Sequence, residues 1–317
     1  MSERELAMDG PRREGQVYHG ASLVARYASF VKLPHTLFAL PFAAMGAVLA
    51  TYQPGAELGW AEAGWIVLAF TAARFAAMGF NRIVDRTLDA ENPRTAGREL
   101  PAGKLALGQA AVAVIVASAV FVAAAWMLNP LCGMLAPAAL AWLFFYSYTK
   151  RFTAWSHHVL GLALGIAPVG GYLGVTGAWA APWYALPVVA AAVTFWVAGF
   201  DVIYALQDRA FDRARGLHSI PARTSTARAL GAARWFHLCA ALLFLAVWAL
   251  DLFAVGWVYL LGVGVVSALL VWEHRVAGRL ASGATDLRTV DRAFFHANVA
   301  VSSSLFLFTL LDRVLLA

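Results

Sequence analysis

Two sets of carboxylates stand at spacings that suit metal chemistry. Asn81, Asp85 and Asp89 recur every four residues, and Asp201, Tyr204, Asp208 and Asp212 follow one another at steps of three or four. At about 100° per residue, each set forms one slowly drifting stripe along a helix. Rows of oxygen donors suit Mg²⁺, which takes one or two carboxylates, keeps water and completes its octahedron with phosphate oxygens. Two facing rows would hold two or more such ions around a diphosphate, and neighbouring arginines and lysines would carry its remaining charge. The alternative is a set of solvated loop carboxylates paired with nearby arginines such as Arg82 and Arg86. Against it, aspartates at a helix C-terminus oppose the helix dipole, and the pattern occurs twice. No Walker-type glycine loop is present, so a nucleotide is not the expected phosphate donor.

The elements that must position these rows are membrane helices. The chain has 317 residues, 61% hydrophobic and 13% charged, with mean hydropathy +0.68. That charged fraction is about half the usual value of a soluble domain. Nine spans are expected: 33–52, 62–81, 106–127, 131–149, 156–177, 184–206, 234–251, 255–273 and 292–315, each near the ~20 residues a bilayer requires. The seventh and eighth are short, with a tight hairpin between them. Residues 1–32 read as a cytoplasmic segment without a signal peptide, and 33–317 as a single transmembrane domain. Glycines at small spacings over 161–177 read as a helix-packing device. Lys and Arg concentrate in residues 1–32 and in the loops after spans 2, 4, 6 and 8, while the alternate loops hold none. This bias places the N-terminus and both carboxylate rows on the cytoplasmic side. The pI of 9.6 is then a loop effect, and no nucleic-acid partner is implied. Cys132 and Cys239 read as free core thiols, and Trp60, Trp65, Trp179 and Trp183 as an outer aromatic belt. Arg74, seven residues inside the second span on the Asn81/Asp85 face, must be paired or hydrated. His157-His158 reads as interfacial.

At these motifs the chain resembles the UbiA-type family of membrane prenyltransferases. The resemblance rests on Asn81-x-x-x-Asp85-x-x-x-Asp89, on Arg94-Thr-Ala-Gly-Arg98-Glu-Leu-Pro-Ala-Gly103, on Asp201-x-x-Tyr204-Ala-x-Gln-Asp208-x-x-x-Asp212 and on Tyr146-Ser-Tyr-Thr-Lys150-Arg151. It covers roughly residues 30 to 315. Two positions depart from the family pattern: Arg82 stands where many members have Asp, and Glu99 where proline is common. Lys32-Leu-Pro-His35-Thr36 and the Asn81-Arg82 variant are most similar to 4-hydroxybenzoate polyprenyltransferases, including the branch that serves a dihydroxynaphthoate.

The resemblance implies an all-α integral membrane protein with nine spans, in the inner membrane of a bacterium. It would be an Mg²⁺-dependent enzyme that moves a polyprenyl group from its diphosphate to 1,4-dihydroxy-6-naphthoate or 4-hydroxybenzoate, the resemblance placing the naphthoate slightly ahead. Asp85, Asp89, Asp208 and Asp212, with Asn81 and Asp201, are the implied metal ligands. Arg94, Arg98, Lys150, Arg151 and Arg209 are implied for the diphosphate, and Arg74, His35 and Tyr204 for the acceptor. A transporter is the rival reading, but it would favour ionisable groups at mid-membrane and broken helices in related halves. An alcohol phosphotransferase lacks support because its Asp-Gly-x-x-Ala-Arg run is missing.

Overall fold

A computed structural model describes residues 23–32, 39–281 and 287–316. A short α1 (Leu23–Phe30) precedes α2 (Leu40–Ala50), and α3 (Trp60–Val84) is followed at once by the six-residue α4 (Arg86–Glu91). Then come α5 (Leu107–Leu128), α6 (Pro130–Thr149), α7 (Ser156–Thr176) and α8 (Ala185–Ala205), the last running through a 3₁₀ turn into α9 (Arg209–Ala214). The chain continues through α10 (Ile220–Arg223) to α11 (Thr226–Ala249), α12 (Trp257–Ala281) and α13 (Leu287–Leu316). Among the described residues, eight helices are long and apolar enough to cross a membrane. Of the span expected at 33–52, only the 11-residue α2 is described, because 33–38 lie outside the described residues.

Helix starts follow local chemistry. Asn129 accepts from the Cys132 N–H to cap α6, and Ser225 accepts from the Arg228 N–H to cap α11, each satisfying a donor that a helix start leaves orphaned. The Ser225 cap explains why α11 begins eight residues before the expected 234. The seventh and eighth expected spans are not short: α11 has 24 residues and α12 has 25, since both run on past their apolar stretches. The turn between them is tight, with Asp251 and Ala254 at φ 50° and 55°.

Packing is closest around α7. A Cβ on Gly161 would stand 2.3 Å from the Thr194 carbonyl oxygen of α8, and one on Gly171 would stand 2.0 Å from that of Ala43 in α2. The glycine-rich stretch therefore seats two backbones against a third. Three of the large buried side chains, Trp196, Phe42 and Phe244, meet where α2, α8 and α11 converge, with Phe42 and Trp196 ring centres 4.9 Å apart. Apolar side chains on the outer faces, such as Ile115, Leu242 and Leu261, are exposed as lipid-facing residues should be. Trp60, Trp179 and Trp183 are exposed, whereas Trp65 is half-buried.

At the end remote from the motifs, the fully buried Asp312 of α13 accepts from the Gly256 and Tyr259 N–H groups at the start of α12 and from the Tyr52 hydroxyl. The Arg313 guanidinium donates to the Thr51 carbonyl and lies over the Tyr52 ring. These contacts join the C-terminal end of α2 to α12 and α13.

Candidate active site

Neither carboxylate row lies on an unbroken helix. The α3 helix stops at Val84 and Asp85 takes φ −92°, ψ 5° before α4 begins. After α8, a 3₁₀ turn over Leu206–Asp208 delivers Asp208 at φ −97°, ψ 3°. The expectation of continuous helical stripes is thus corrected, because each helix resets its axis at the middle aspartate. Both residues sit in the sparsely populated bridge region, where active-site residues are often found.

The first row is held by polar contacts from three directions. The Asn81 amide donates to Asp85 Oδ2 at 3.0 Å, and Arg151 reaches Asp85 Oδ1 at 3.3 Å while also donating to the Val84 carbonyl. Burial, and next the charge of Asp89, push the Asp85 carboxyl above its ordinary pKa, against the pull of Arg151 and Lys150. Asp89 receives Arg98 Nη1 at 2.6 Å and has Arg82 Nη1 at 3.9 Å. Arg82 is a buried residue, so this departure places a cation against the third member of the row.

The second row is tied to the loop that follows the first. Arg94 grips Asp208 with a two-pronged contact, Nε to Oδ1 at 2.8 Å and Nη2 to Oδ2 at 2.5 Å, and the Asn92 amide adds a third donor at 3.0 Å. The Arg94 guanidinium lies 5.7 Å from the Tyr204 ring centre. Asp212 accepts from Ser219 Oγ at 2.9 Å and has Lys150 Nζ at 3.7 Å. Burial pulls the Lys150 ammonium down, but Asp212, Asp208, Asp201 and Asp85 outweigh it and raise its pKa. Lys150 is therefore the charge shared between the two rows.

Two placements differ from the sequence expectations. Arg209 is turned away from the carboxylates: it donates to the Pro221 and Thr224 carbonyls and to Thr226 Oγ1, fastening the α10 segment. His157 is not interfacial but 0% exposed. Its Nε2 accepts the Ile220 N–H, so Nδ1 carries the proton and donates to Asp201 Oδ2 at 2.6 Å. His35 lies outside the described residues. Sequence reasoning gave no role to Asn92 or Ser219, whose acceptors lie 116 and seven residues away. The signal available for both was proximity to the motifs.

Above the rows opens an apolar cavity of about 220 Å³ between α3, α5, α6 and α7. Asn81, Arg74 and Tyr146 line its polar end; Ile66, Leu128, Cys132 and Leu173 line the other. Much of the wall between is alanine, including Ala69, Ala73, Ala77, Ala139 and Ala163. Small side chains leave the room. From Asn81 to Ile66 the wall follows fifteen residues of α3, about 22 Å at 1.5 Å per residue.

The donor set fits Mg²⁺. It consists of carboxylate and amide oxygens, and among the described residues no three carboxylate, imidazole or thiol groups gather closely enough to form a cage around an ion. Mg²⁺ characteristically binds in such settings, through one or two carboxylates with substrate phosphates and water completing the shell.

Comparison with known proteins agrees with this geometry. The profile of the UbiA prenyltransferase family matches residues 39–299. A polyprenyl transferase of Arthrobotrys oligospora is 34% identical over 171 residues, 53% of this chain and 46% of that protein. The chain thus spans about half the length of the fungal relatives it matches. A 4-hydroxybenzoate octaprenyltransferase of Acidovorax ebreus is 31% identical over 227 residues, covering 66% of this chain and 72% of its own. Among solved structures, a UbiA homolog from Aeropyrum pernix K1 is 32% identical with a TM-score of 0.76, over 88% of this chain and 98% of that one. A UbiA homolog from Archaeoglobus fulgidus bound to GPP and Mg²⁺ shares the fold at 19% identity, with a TM-score of 0.67 over 91% of this chain and 99% of that one.

Proposed function

The chain belongs to the UbiA prenyltransferase family, and from that premise we propose that it transfers a polyprenyl group from a prenyl diphosphate to an aromatic hydroxy-carboxylate. The observation that carries this reading is the double position of Asn81. Its amide holds Asp85 in the polar cluster, and the same residue lines the apolar cavity. A ligand with an anionic head and a long hydrocarbon tail is the chemistry that such a junction accepts.

Asp85, Asp89, Asp208 and Asp212, with Asn81 and Asp201, would hold Mg²⁺. When bound there, the ion supplies Lewis-acid withdrawal of charge from the leaving diphosphate. Arg94, Arg98, Lys150 and Arg151 lie within reach of the same carboxylates, and they bind the diphosphate oxygens. The alanine-walled cavity receives the tail and keeps water from the allylic carbon as its bond to oxygen breaks. Arg74, at the polar end of that cavity, and Tyr204, beside Arg94, orient the carboxylate and ring of the acceptor. His35 is assigned to the same acceptor site.

The relatives' names favour 4-hydroxybenzoate as acceptor, and 1,4-dihydroxy-6-naphthoate is the second candidate on sequence resemblance. The Lys and Arg bias supports nine spans in a bacterial inner membrane, with the N-terminus and the site facing the cytoplasm. Purified protein given a radiolabelled prenyl diphosphate, Mg²⁺ and each acid in turn should yield a labelled, solvent-extractable product. No product with any aromatic acid, together with solute flux in liposomes, would overturn the reading in favour of a transporter.

A further inference from the structure

Every motif aspartate has a basic partner inside the site: Arg151 for Asp85, Arg98 and Arg82 for Asp89, His157 for Asp201, Arg94 for Asp208 and Lys150 for Asp212. Most of these partners are the cations suited to a diphosphate. The Arg94–Asp208 pair shows the consequence most sharply. Its fork engages both carboxylate oxygens, and Asn92 takes a further position on Oδ1. A carboxylate so engaged offers little to a divalent ion. A planar guanidinium so engaged has committed its Nε/Nη2 edge, one of the two that could match a pair of diphosphate oxygens.

We propose that Arg94 and Arg98 are exchangeable counter-cations of Asp208 and Asp89: they compete with the divalent ion for the carboxylates and turn to the diphosphate when the ion takes their place. Each partner then frees the site for the other, so ion and diphosphate favour one another's binding reciprocally. No bond is made or broken in the exchange; ionic contacts are only redistributed. The two arginines can do this because both project from the loop between α4 and α5, whereas Arg82 projects from α3 and remains beside Asp89. The inference deepens the proposed function and rests on it.

The test separates competition from simple scaffolding, because the two predict opposite signs. Mn²⁺ binding is followed by electron paramagnetic resonance on the purified full-length chain, with and without inorganic pyrophosphate. Without pyrophosphate, Arg94→Gln should bind Mn²⁺ about tenfold more tightly, the scale of one hydrogen bond to a charged group. Its pyrophosphate affinity should fall about tenfold or more. Arg98→Gln should move both values the same way, and Arg94→Lys, which keeps the charge but loses the fork, should fall between. Melting temperature confirms that each variant is folded. Mn²⁺ affinity that is unchanged or weaker in both glutamine variants overturns the exchange. Failure of the unaltered chain to bind Mn²⁺ even with pyrophosphate would instead overturn the proposed metal site.

Discussion

Asp85 and Asp208 carry almost the same backbone conformation, φ −92°, ψ 5° and φ −97°, ψ 3°, at the ends of two helices that deliver the two carboxylate rows. Their side-chain surroundings differ. Asp208 receives three donors from the loop after α4, while Asp85 receives one amide and one half-exposed arginine. The aspartates are therefore equivalent in position and unequal in structural importance.

Substitution should expose that inequality. Asp208→Ala removes the carboxylate that a partly buried guanidinium and a buried amide share and should cost about 3 kcal/mol of stability, whereas Asp85→Ala should cost about 1 kcal/mol. Both should lower prenyl transfer by about 10²–10³-fold, the scale seen when one electrostatic stabiliser is removed. Thermal unfolding in detergent and initial rates measure the two effects. Equal loss of stability in the two variants would contradict the assignment.

His157 should matter more than its position at a helix start suggests. His157→Ala removes a fully buried ring and leaves both Asp201 and the Ile220 N–H without a partner. A loss of about 2–4 kcal/mol is expected from the cavity and the orphaned groups together. Denaturant titration monitored by tryptophan fluorescence checks it.

Cys132 offers a reporter inside the cavity. In a Cys239→Ala background, a prenyl diphosphate with Mg²⁺ should slow alkylation of Cys132 by a maleimide, and pyrophosphate with Mg²⁺ should not. The comparison distinguishes occupancy of the tail cavity from occupancy of the polar cluster. Equal protection by both ligands would place the tail elsewhere.

Asp312→Ala should separate stability from chemistry. The substitution strips the acceptor from two N–H groups at the start of α12 and from the Tyr52 hydroxyl, at about 2–3 kcal/mol. The protein that stays folded should keep its specific activity, because the contact lies at the opposite end of the bundle from the motifs. A lower melting temperature with normal activity per folded molecule is the expected result.

Much of this arrangement could be read from residue types alone. Apolar run lengths located the long helices, and four-residue spacing singled out Asp85, Asp89, Asp208 and Asp212. What escaped detection depended on distant partners. Asn92 meets Asp208 across 116 residues, and His157 meets Asp201 across 44, distances over which periodicity carries no information. Arg209 illustrates the same limit: Asp208 and Asp212 flank it in sequence, but its guanidinium meets backbone carbonyls in space. The breaks at Asp85 and Asp208 escaped as well, since neither Gly nor Pro marks them.

The Asp312 contacts have a mechanical consequence. They pin α2, α12 and α13 at one end of the bundle, whereas at the other end α3 and α8 run into short turns and loops that carry the arginines. The foot is fixed by hydrogen bonds to backbone N–H groups, whereas the head is held by ion pairs to loop side chains. Thermal displacement should therefore grow along the bundle axis toward the carboxylates. Amide hydrogen exchange would register it as a gradient, slow beside Tyr259 and quickening toward Asp85.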